Sequence, residues 1–132
     1  MKINRSAFAG LALAALLASM SSAHAAPSDY EFKLVTSEIQ KNDAATIAVR
    51  LIDKRSGKPV ENAVISATRI DMQPDGMEMM ITPAKAMPTT EAGVYSFKTN
   101  LSMAGNWRFS VAAKVQGEEG TVENKLVFKV VQ

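Results

Sequence analysis

The chain has no cysteine and a single histidine, His24, among its 132 residues. Without thiols there is no disulfide, no thiolate nucleophile, no thiolate metal site and no lipid-modified cysteine. His24 falls inside the N-terminal segment that reads as a leader, so the rest of the chain has no imidazole either. That removes imidazole metal sites, histidine acid–base catalysis and Ser-His-Asp triads, and the remaining sequence reads as a non-enzyme. An excess of one charge is also missing. Of 15 basic residues, Lys2 and Arg5 belong to the leader, and the remaining 13 balance the 13 acidic ones. A neutral domain with dispersed charges carries no footprint for nucleic acid or anionic lipid.

Only one long apolar run is present, and it is short. Residues 7–20 are almost continuously apolar, behind the positive Lys2 and Arg5. The run is below the roughly 20 residues that span a bilayer. Ala23 and Ala25 then supply the small side chains that a signal peptidase reads. The expectation is a signal peptide over residues 1–25, cleavage after Ala25, export to the periplasm, and one domain over residues 26–132 that is not inserted in a membrane.

What is present beyond the leader alternates with period two. Ile47, Val49 and Leu51 share one face; so do Trp107, Phe109, Val111, Ala113 and Val115; so do Leu126, Phe128 and Val130. Tyr30, Phe32 and Leu34 make a first strand, and residues 63–70 and 94–98 supply two more. Such alternation marks antiparallel strands with one face on a core. Turn signals separate the runs at residues 54–59, 91–93, 104–106 and 116–120. The pattern predicts an all-β, immunoglobulin-like antiparallel β-sandwich of six to seven strands, with Trp107 in its core.

Residues 71–90 break the pattern. They hold Pro74, Pro83 and Pro88, which exclude a central strand across the whole stretch, although residues 77–81 fit a short edge strand. They also hold Met72, Met77, Met79, Met80 and Met87; Met103 follows. Thioether sulfur is soft and neutral and suits Cu(I). In an extended segment Met77 and Met79 fall on one side, roughly 7 Å apart from the strand rise. Met72, Met80, Met87 and Met103 are candidates to complete the ligand set. The same residues also read as an adaptable contact surface for a protein partner, or as core packing. Asp71, Asp75 and Glu78 lack the spacing of a calcium loop and read as a solvated acidic loop.

Several short motifs carry a resemblance. Gly57-Lys58-Pro59-Val60 is followed by Ala63-Val64-Ile65 and the Met72–Met80 stretch. Ala92-Gly93-Val94-Tyr95 and Leu101-Ser102-Met103-Ala104-Gly105-Asn106-Trp107 come after. Over roughly residues 47–115 the chain resembles the YtkA-like family of small periplasmic domains, which is related to the FixH family. The resemblance implies an immunoglobulin-like sandwich in the periplasm. It also implies a link to copper supply for respiratory oxidases or to metal efflux, with an oxidase-assembly or metal-efflux membrane protein as partner. FixH-type proteins keep an uncleaved N-terminal helix, which this chain's leader does not match, and no family catalytic residue exists to carry over. Two functional expectations follow: an accessory protein binding Cu(I) through the Met-rich segment, and an interaction module using that segment without metal.

Overall fold

The computed structural model describes residues 27–132, so the predicted leader lies outside the described residues. Two short 3-10 turns, Pro27–Asp29 and Gln73–Asp75, accompany nine strands: β1 (Tyr30–Leu34), β2 (Glu38–Gln40), β3 (Asn42–Asp53), β4 (Val64–Met72), β5 (Met77–Thr82), β6 (Ala84–Met87), β7 (Val94–Leu101), β8 (Gly105–Lys114) and β9 (Val122–Val131). One sheet has the order β1-β3-β7-β6 and the other β2-β9-β8-β4-β5. Among the described residues no helix is long and apolar enough to cross a membrane.

The alternating runs become the long strands, and their apolar faces meet between the sheets. Phe32, Ile47, Val49, Leu51 and Phe97 come from the first sheet; Ile70, Trp107, Phe109, Val111, Phe128 and Val130 come from the second; all are buried. Phe97 and Phe109 contact edge-on across the interface, with centroids 5.3 Å apart. Each such side chain taken out of water contributes about 1.5–3 kcal/mol, which is why the period-two pattern holds the fold. The Trp107 indole N–H, a donor that burial would otherwise strand, is satisfied at 3.0 Å by the Met103 carbonyl.

The sandwich departs from expectation in two ways. Nine strands form rather than six or seven; β2 and β6 are the short additions. The pairing is not wholly antiparallel, because β2 runs parallel to β9, with Ile39 opposite Val130. Both short strands belong to changes of sheet made in one residue. Lys41 alone separates β2 from β3, and Pro83 alone separates β5 from β6. These two links lie on opposite lateral edges of the sandwich. The Lys41 N–H donates to the Val131 carbonyl at 2.7 Å and extends the β9 ladder. Pro83 has no N–H to give; beside it the Thr82 hydroxyl donates to the Asn100 carbonyl at 2.8 Å and ties β5 to β7.

Candidate functional site at the Pro83 edge

The segment from Met72 to Met87 is positioned by the turn that begins it. Pro74 fits the 3-10 turn Gln73–Asp75, and Gly76 closes it at φ 74°, a left-handed conformation that glycine adopts without steric cost. The turn is clamped onto the start of β8. Asp75 Oδ2 accepts the Asn106 backbone N–H at 2.7 Å, and Oδ1 accepts the Asn106 side-chain amide at 2.9 Å. Those two bonds hold the Asp75 carboxyl below its ordinary pKa. The close approach needs Gly105: a Cβ there would lie 2.6 Å from Asp75 Oδ2 and 2.7 Å from Met72 Cε. The clamp sets the Met-rich turn beside the β7–β8 loop that carries Met103.

Asp71 corrects the expectation of a solvated acidic loop, because it is fully buried. It sits opposite Arg108 on β8 and two residues from Arg69 on its own strand, so period two puts Arg69 on its face. Oδ2 accepts from Arg69 Nε at 2.7 Å and from Arg108 Nη2 at 3.0 Å, while Oδ1 accepts the Gln73 N–H at 3.0 Å. Burial pushes this carboxyl up, but the bonds from Arg69, Arg108 and Gln73 outweigh it and hold the group below the usual carboxylate range. Arg69 also donates to the Glu78 carbonyl at 3.1 Å, which ties β5 to the same cluster. Asp71 and Asp75 are therefore engaged in holding the turn, the first buried and the second exposed, and the exposed Glu78 carboxylate lies 3.8 Å from Arg108. Among the described residues no three histidine, cysteine, aspartate or glutamate side chains gather where they would hold a metal.

The six candidate methionines separate by environment. Met79 is 86% exposed, Met103 40%, Met77 38%, Met80 37% and Met87 37%, whereas Met72 is 0% exposed and belongs to the core. Met77, Met79 and Met80 lie together on β5, the outer strand of its sheet. That strand meets β4 at both ends only: Met77 is opposite Met72, and Ile81 and Thr82 are opposite Asp71 and Ile70. Glu78, Met79 and Met80 have no counterpart across the ladder, so the middle of the strand bulges outward. Met87 is placed elsewhere. It pairs with Ser96 on β7, roughly 10 Å along β6 from Ala84 by the strand rise, and lines a shallow cleft with Tyr95.

The arrangement thus offers three thioethers on one outer strand, a fourth on the neighbouring β7–β8 loop, and none of the nearby aspartates free to compete. Chemically it suits a soft cation or an apolar partner. The sequence pattern missed the Asp71–Arg69–Arg108 cluster. The spacing of Arg69 and Asp71 was a signal for it, but the partner on β8 is distant in the chain.

The crystal structure of the Lin-41 filamin domain is similar, with a TM-score of 0.51 and 14% identity, covering 82% of this chain and 97% of that one. A second similar structure, the ZirS C-terminal domain, has a TM-score of 0.47 and 14% identity, covering 88% of this chain and 75% of that one. The filamin domain shows the fold, an immunoglobulin-like sandwich. No curated protein sequence matches the chain. A family sequence model does match, over residues 24–112, and by that match the chain belongs to the YtkA-like family.

Proposed function

We propose that this protein is a periplasmic, non-enzymatic accessory domain that captures Cu(I) through the thioethers of Met77, Met79 and Met80, with Met103 reaching in from the adjoining loop. The observation that carries the reading is the grouping of three exposed thioethers on one outer strand of a domain whose described residues contain neither cysteine nor histidine. Thioethers favour Cu(I) over Cu(II) and Zn²⁺, which prefer nitrogen, oxygen or thiolate donors. Met72 is left out of the ligand set because its sulfur is enclosed in the core, and Met87 because it lines a different cleft. The partner receiving the ion would be a metal-efflux or oxidase-assembly membrane protein, and the leader-like residues 1–25 support a periplasmic location.

The test is competition against a Cu(I) chelator. Wild type should withdraw copper and Met77→Leu/Met79→Leu should not, since leucine keeps size and apolarity but removes sulfur. Thioethers do not titrate, so capture should persist in mildly acidic buffer, unlike capture by imidazole or thiolate. Equal competition by wild type and double mutant would defeat the reading. A second reading, a docking surface without metal, is favoured by Ile81. This side chain is half exposed beside the methionines and adds apolar area but no ligand.

A further inference from the structure

We infer that β5 carries a reversible oxidation site, Met79, which a hydroperoxide converts to its sulfoxide ahead of the other described methionines while the folded core stays intact. In this step the sulfur lone pair attacks the terminal peroxide oxygen. The O–O bond breaks, an S–O bond forms, the sulfur loses two electrons, and the proton of the transferred oxygen passes to the remaining peroxide oxygen, which leaves as water or an alcohol.

Three observations converge on this strand. The chain contains no cysteine, so thioethers are its softest nucleophiles. Oxidation follows exposure, and the sulfur-bearing side chains of this one segment range from 86% exposed at Met79 to 0% at Met72. Met79 has no ladder partner on β4 and is the most exposed of the methionines, so an oxygen added to its sulfur meets solvent. Met72 is the counterexample within the same segment: its methyl packs under Gly105, and a polar oxygen at its sulfur would be buried without a partner. The fold thus separates an expendable sulfur from a structural one across the short turn that Asp75 clamps.

The modification changes what the strand presents. A sulfoxide is a polar oxygen acceptor, where the thioether was a soft apolar donor, so β5 would lose its affinity for soft cations when oxidised. That consequence rests on the copper reading; the oxidation itself does not.

The experiment treats purified protein with graded hydrogen peroxide, follows oxygen uptake by peptide mapping, and records the melting temperature in parallel. Met79 should oxidise at least about tenfold faster than Met72, and the melting temperature should hold while Met79 converts. Oxidation of Met72 at the rate of Met79, or a fall in melting temperature with the first oxygen, would overturn the inference. Met79→Leu should remove the fastest phase of oxygen uptake; an unchanged fast phase in that variant would also overturn it. A methionine sulfoxide reductase should restore the original mass from the folded protein, and failure to do so would refute reversibility. Chelator competition before and after oxidation separates the two proposals. If wild type never captured copper but β5 oxidises selectively, the copper reading falls and this inference stands. If copper is captured but oxidation is indiscriminate, the reverse holds.

Discussion

Lys41 and Pro83 perform the same covalent task on opposite edges of the sandwich, yet their surroundings differ in kind. Around Lys41 the exposed residues include Glu38, Gln40, Asn42 and Asp43, with Val35 and Ala44 the apolar ones, and the chain's own N–H continues the β9 ladder. Charged and polar side chains on an outer strand discourage pairing with another chain. Around Pro83 the exposed residues include Met77, Met79, Met80, Ile81 and Met87, relieved by Glu78 and Lys85. One edge is protected in the ordinary way and the other is left soft and apolar. Since the fold can clearly build a protected edge, the chemistry at Pro83 is better explained by what the strand meets than by what the sandwich needs.

That contrast can be tested, beginning with the largest effect. Met72→Ala should destabilise the domain by about 2–5 kcal/mol, because it opens a cavity in the core. Met79→Ala, a few residues along the same segment, should change stability by less than about 0.5 kcal/mol. Chemical denaturation of both variants measures the difference, and equal losses would erase the distinction between structural and surface sulfurs.

Asp71→Asn should cost about 2–3 kcal/mol, since it removes the buried anion from the largely buried Arg108 and leaves it only the more distant, exposed Glu78; the exposed Arg69 half of the cluster adds little. The pH dependence has a definite sign. The carboxyl is held below its unfolded value, so its contribution is present above about pH 3.9 and is lost as pH falls through the lower folded value. Melting curves across acidic pH should therefore fall more steeply for wild type than for Asp71→Asn.

The smallest effect compares the two links directly. Lys41→Pro removes the donor to Val131 and makes the first edge resemble the second; it should cost about 1–3 kcal/mol. Pro83→Ala should cost less than about 1 kcal/mol, chiefly through the greater freedom of the unfolded chain. If the two substitutions cost the same, the ladder bond at Lys41 is not what distinguishes the edges.

The long strands were legible because alternation over six or more residues leaves few other arrangements, and Trp107, Phe109, Val111, Ala113 and Val115 are all buried as their spacing requires. The short strands were not. Glu38–Gln40 has one apolar residue and gains its place from β9, far along the chain; Ala84–Met87 is hidden between two prolines. In the candidate site, clustering revealed the methionines but not their burial. Ile70, Asp71 and Met72 are buried in succession where alternation would expose one of the three, because the Arg69–Arg108 cluster and the clamped turn cover the outer side. Long-range partners of that sort leave no local periodic mark.

The paired links at Lys41 and Pro83 also have a mechanical consequence. A sandwich joined only through loops at its ends could open like a book along one side. Here a taut, single-residue link ties the sheets near each side, between the outer strands β5 and β6 on one and from outer β2 to β3, one strand in from β1, on the other. The sheets should part together or not at all, giving one transition under heat, denaturant or applied force, with no half-open form between.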